Sequence, residues 1–134
     1  IGYVMYMGME EGSAGNYSYY LGHTTSGTVT MGITDDGTTF DTVTSTATTS
    51  GWTFAVGRFD PSTELAVFVN GVKAVNTSSI DASIYDGNGN FNIGAWAGSL
   101  LLTGDASICF LCAAYLSDDM IGALFQQSRA LYGV

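Results

Sequence analysis

The sequence predicts an all-β protein: an antiparallel β-sandwich closed by one short C-terminal α-helix. Three observations carry this expectation. Residues 52–77, WTFAVGRFDPSTELAVFVNGVKAVNT, read as three consecutive antiparallel strands. Short β-like runs fill most of the remaining chain, separated by turns that draw on 18 glycines and a single proline, the pattern of a sandwich. Helical spacing of apolar residues occurs only near the end.

Within the three-strand stretch, the first strand starts at Trp52 and runs to Phe59, and Asp60-Pro61-Ser62-Thr63 supplies its turn. The second spans residues 64–69, and Asn70-Gly71 turns it into the third. A two-residue type I′ loop needs positive φ at both positions, which Asn and Gly tolerate best. Trp52, Asn70 and Gly71 are therefore expected to be scaffold residues that set core and register.

Taken in order, residues 2–9 are apolar on both faces and read as a central strand, with residues 10–16 as an exposed loop. Residues 17–22 and 28–34 form a strand pair. Val29, Met31 and Ile33 share one face of the second, and Thr28, Thr30 and Thr34 the other, so one side should meet solvent. Asp35-Asp36-Gly37 is a turn before a short strand at 39–43. Residues 44–51, TSTATTSG, are a polar connection.

Beyond the hairpins, 78–90 is a loop, 91–96 a strand, Ala97-Gly98 a bend and 100–103 a short strand. Residues 105–115 are apolar at both odd and even positions, which predicts a mid-sheet strand covered on both sides. Ser117 is a suitable helix N-cap, followed by Asp118 and Asp119, whose charges suit a helix N-terminus. Met120, Ile121, Leu124, Phe125 and Leu131 then make an apolar stripe, and Gly133 a stop.

One domain over residues 1–134 is the natural count for this length. Its 46% hydrophobic content exceeds that of a disordered chain. Three Lys+Arg against 12 Asp+Glu give a net charge of −9, which repels phosphate backbones and excludes nucleic acid as a partner. No apolar run reaches the length of a membrane span, so membrane insertion is excluded as well. The chain opens directly on a strand-like run, so the expectation is a fragment of a longer chain or a processed one. Cys109 and Cys112 form a CxxC, but three residues apart on a strand they face opposite ways, and the expectation is two buried, unreactive thiols.

The order of pieces carries a resemblance: Trp52, then Phe68-Val69-Asn70-Gly71-Val72, then Phe91-Asn92-Ile93-Gly94, then Leu116-Ser117-Asp118-Asp119 before a helix. Together they resemble the laminin-G-like and concanavalin-A-like lectin/glucanase jelly-roll domains, over roughly the C-terminal two thirds. The resemblance implies a jelly-roll β-sandwich. Such domains open with a strand or two before the position of Ile1, so it also implies a truncated or pared-down version.

Some domains of that kind cleave glucans with paired carboxylates on one strand in an ExDxxE-like array, about 5–5.5 Å apart for retention. The glutamates here are Glu10, Glu11 and Glu64. The first two are adjacent and point apart, and the third lies beside a turn. His23 has no nucleophile partner in a motif. The expectation is a non-enzyme.

Two binding classes remain. Asp86, Asn88 and Asn90 alternate along one glycine-rich loop, and Asp35 and Asp36 add carboxylates elsewhere. Hard oxygen ligands of this type suit Ca²⁺, with Asp35, Asp36 and Asp86 as candidate metal ligands and no cofactor otherwise required. The loop is not an EF-hand, because Phe91 and Ala97 stand where the turn glycine and last glutamate belong. Trp96, with Asp86, Asn88 and Asn90, is the candidate glycan-contacting set, although a core role competes for Trp96. The other class is a structural or adhesion module, a decoration or fibre domain of a phage-like virion, whose apolar strands at 2–9 and 105–115 are covered by a neighbouring chain. The expectation is this non-enzymatic module, on a virion surface or otherwise extracellular. Its partners would be other chains of a surface or capsid assembly, further copies included, and glycans. A secreted, Ca²⁺-assisted carbohydrate-binding module is the alternative.

Overall fold

A computed structural model describes residues 3–10, 16–49, 51–87, 90–96 and 100–134. The chain forms two antiparallel sheets stacked face to face, with one helix on the outer side of the smaller sheet. This is the predicted β-sandwich with a C-terminal helix.

The larger sheet contains β1 (Tyr3–Glu10), β2 (Tyr17–Thr24), β3 (Val29–Ile33), β4 (Asp41–Thr44) and β8 (Asn90–Ile93), in the order β4-β3-β2-β1-β8. The smaller sheet contains β5 (Ala55–Asp60), β6 (Glu64–Val69) and β7 (Val72–Asn76), in that order. A two-residue ladder joins β9 (Ala95–Trp96) to β10 (Leu100–Leu101). The expected strand at 91–96 is broken at Gly94, whose φ of 76° lies in the left-handed region.

The three-strand stretch folds as the sequence dictates. Asn70 and Gly71 take φ of 48° and 84°, as a type I′ turn requires. The Asn70 side chain accepts the Phe54 N–H, and its own N–H donates to the Phe54 carbonyl, which pins the start of β5 to the end of β6. At the other turn Pro61 precedes Ser62, whose φ is 56°. Thr63 N–H closes onto the Asp60 carbonyl at 3.0 Å, a type II arrangement.

Alternation on β6 builds two cores. Leu65, Val67 and Val69 face the larger sheet and pack with Val29, Met31, Ile33 and Val43. Ala66 and Phe68 face the helix α1 (Asp118–Tyr132) and pack with Ile121. Because both faces are covered, β6 from Leu65 to Val69 is entirely buried. Such burial is worth about 25 cal/mol per Å² of apolar area removed from water.

Four expectations need correction. β3 is buried along its whole length rather than half solvated: Thr30 bonds to Thr44, and Thr34 folds back over its own turn. Trp52 lies outside the strand and the core, 46% exposed, with its ring against Tyr132. Residues 105–115 form no strand and no second buried layer: Ile108, Phe110, Leu111 and Tyr115 are 74, 54, 63 and 58% exposed. For the same reason Cys109 is half-buried and Cys112 exposed, both as free thiols. The apolar pattern of 105–115 is real, but it requires a pairing edge that these residues do not reach. The side chains of β1, and residues 11–15 of the loop after it, lie outside the described residues.

The helix follows its sequence signals. The Ser117 hydroxyl accepts the Met120 N–H, Asp118 and Asp119 occupy the first turn, and Gly133 closes the end at φ 71°. Ile121 and Phe125 are buried on the small sheet. Met120 and Leu131, read as part of the same stripe, are 55 and 74% exposed.

Candidate binding surfaces

Two of the chain's three cations are drawn into one structural cluster. The Arg58 side chain is 5% exposed. Its guanidinium pairs with Glu64, reaches Asp118 at 2.7 Å and donates to the Leu116 carbonyl at 2.8 Å. Its Cζ lies over the rings of Phe68 and Tyr115, 5.1 and 4.7 Å from their centroids. Lys73, from β7, reaches both Glu64 and Asp118 at 3.2 Å. Burial alone would raise the Glu64 carboxyl, but the hydrogen bonds from Arg58 and Lys73 outweigh it and hold it below the usual range. The Arg58 hydrogen bond does the same for Asp118. A carboxylate held in this way is neutralised by two cations, so Glu64 serves the fold rather than acid–base chemistry.

The predicted aspartates sit on loops that meet at one rim. Asp36 accepts the N–H groups of Thr38 and Thr39, each at 2.7 Å, and the Thr34 hydroxyl at 2.9 Å. These bonds lower its carboxyl strongly, and they make Asp36 a turn-former. Asp35 is exposed beside it. Tyr85 N–H donates to the Thr34 carbonyl at 2.7 Å, which lays residues 81–87, Asp86 included, alongside this turn. The Asp81 N–H donates to Asp41 Oδ2. Burial, then Asp41 and Asp35, raise the Asp81 carboxyl. Among the described residues no three His, Cys, Asp or Glu side chains converge in a way that would hold a metal ion.

Asn90 is exposed at the start of β8, opposite Glu10 of β1. Trp96 belongs to the β9–β10 ladder, but its side chain, like all of Asn88, lies outside the described residues.

Sequence reasoning missed the surface along β5. Among the described residues this strand pairs with β6 on one edge and with nothing on the other. Phe54 and Asn70 exchange hydrogen bonds and continue the β5–β6 register. Antiparallel alternation therefore turns the backbone groups of Ala55, Gly57 and Phe59 away from β6. Beside this edge run residues 106–116. Two cavities, of about 660 and 790 Å³, are lined by these residues and by β5, and Tyr115 and Leu116 close the far end on Arg58. The one signal available in the sequence was the unbroken apolar run from Ile108 to Leu116.

Among the described residues no helix is long and apolar enough to cross a membrane. No curated protein and no solved structure matches the chain. A family model described as the concanavalin A-like lectin/glucanases superfamily, of laminin-G type, matches residues 3–106. That match spans all the strands described above, both sheets and the ladder. Domains of this kind are typically extracellular and fit a carbohydrate-binding or adhesion role. The chain belongs to the concanavalin A-like lectin/glucanase superfamily.

Proposed function

We propose that this chain is a non-enzymatic adhesion and assembly module displayed on an outer surface, as a decoration or fibre domain of a virion, where it engages other protein chains. The observation that carries this reading is the apolar strip Ile108, Phe110, Leu111 and Tyr115, more than half exposed beside the edge of β5 that no described strand pairs. Apolar surface of this kind beside an open sheet edge is a place for a partner. The commitment of Glu64 to Arg58 and Lys73 supports the non-enzymatic part. The test is imaging and mass analysis of native particles. The expected result is this domain on the outer surface, held against a neighbouring chain. A free monomer in solution, with no particle-bound fraction, overturns the reading.

A second reading, carbohydrate binding at the rim, is favoured by the convergence of the 34–38 and 81–87 loops through the Tyr85–Thr34 bond. Glycan-array retention that is lost in chelator and in Asp86→Ala is its expected result. Retention equal to a blank surface removes it.

A further inference from the structure

The two cavities are halves of one groove. β5 forms one wall of both, and residues 106–116 the other. Tyr19, Leu21 and Met31 lie toward the larger sheet, and Ile121 and Leu124 toward the helix, so the groove is apolar above and below. Its inner wall presents the outward backbone groups of Ala55, Gly57 and Phe59.

Charge bears on the occupant. Asp105 lines the half beside the start of β5, and Asp60 the half beside its end. A net charge of −9 disfavours a second copy and favours a partner carrying cations at both ends of an apolar centre.

We propose that the groove is a strand-acceptor site. It takes one extended apolar strand, flanked by lysine or arginine, from a neighbouring polypeptide, and that strand pairs with the open edge of β5. The six residues of β5 match a partner segment about 20 Å long. The ladder supplies affinity, and the apolar walls select the side chains, as in strand addition generally. This proposal rests on the assembly reading above.

The probe is the peptide Lys-Val-Ala-Val-Ala-Val-Ala-Val-Lys, with a control in which prolines replace the alanines. Binding should slow amide exchange at Ala55, Gly57 and Phe59 by at least tenfold, with the control inactive. Ala55→Pro removes an outward N–H that β6 does not use, and edge positions tolerate proline. It should weaken binding at least tenfold while β6 amides keep their protection. Phe110→Glu alters the opposite, exposed wall and should do the same without touching β5. The proposal is overturned if the peptide binds no better than its control, or if both variants bind like the parent. It is also overturned if the three amides are already protected in the natural polypeptide before any peptide is added, since the occupant then belongs to the same polypeptide. Ala55→Pro that stays on native particles while losing peptide binding overturns strand docking but leaves the surface-module reading intact. Absence of the parent domain from particles removes that reading alone.

Discussion

Arg58 Nη1, on the outermost strand of the small sheet, stands 2.7 Å from Asp118 Oδ1, on the first residue of the helix. The same guanidinium pairs with Glu64 and donates to the Leu116 carbonyl. One buried cation therefore holds the last connection of the chain to the sheet and fixes where the helix begins. Asp118 is positioned by Arg58 at a helix N-terminus that already favours negative charge.

Removing this cation should cost more than removing its exposed counterpart. Arg58→Ala leaves Glu64 in a largely buried site with Lys73 alone, and breaking a buried pair costs about 3–5 kcal/mol. Lys73→Ala breaks better-solvated contacts and should cost about 1 kcal/mol or less. Urea unfolding of the two variants measures the difference. Equal losses would show that the buried pair is not the anchor.

Acid should weaken the fold. Glu64, Asp118 and Asp36 all have folded values below their ordinary ones. Their contribution is complete above the unfolded carboxylate values near 4, and it is lost as pH falls through the lower folded values. Asp81, raised by burial and by Asp41, acts in the opposite direction but is a single group against three. The urea midpoint should therefore hold from pH 7 to 5 and drop below about pH 4. Glu64→Gln should flatten part of that drop.

The Asn70-Gly71 turn also serves the helix. A Cβ on Gly71 would lie 2.9 Å from the Phe125 ring, at a φ of 84°. Gly71→Ala should lose about 2–3 kcal/mol, of which about 1–2 is the left-handed backbone itself. Combined with Phe125→Ala, the loss should fall short of the sum, because the clash disappears with the ring. Strict additivity in a double-mutant cycle would refute the contact.

Ser62 occupies the left-handed region at φ 56°, and its N–H donates to the Asp81 carbonyl. Ser62→Gly keeps that bond and relieves the backbone. The net gain should be about 0.5–1 kcal/mol after the added entropy of the unfolded chain. Ser62→Val should move thermal unfolding in the opposite direction. A glycine variant that melts below the parent contradicts the assignment.

Cys112 is exposed and Cys109 half-buried, so a thiol reagent should modify Cys112 first and Cys109 several-fold more slowly. Mass mapping of partially labelled protein reads the order directly. Two unreactive thiols would mean that 106–114 is covered, as the sequence alone suggested.

What the sequence determined is local. The positive-φ demand of a type I′ turn placed Asn70-Gly71, the cap chemistry placed Ser117 and Gly133, and the two turns at 60–63 and 70–71 bounded the strands of the small sheet. These signals lie within a few residues of one another, so they survive without knowledge of the fold. Tertiary structure decided everything that depends on a distant partner. Trp52 looked like a core residue, but its ring meets Tyr132 at the surface. Thr30 and Thr34 looked solvent-facing but are buried, because the Thr44 hydroxyl satisfies the first, and the Asp36 carboxylate and Gly37 N–H satisfy the second. Arg58 carries no motif, and its importance comes from meeting Asp118 sixty residues later. The run 105–115 shows the limit most clearly. Its apolar pattern, unbroken from Ile108, reads as a buried strand, yet a strand exists only where an edge is there to pair with it, and hydrophobicity in sequence does not specify that edge.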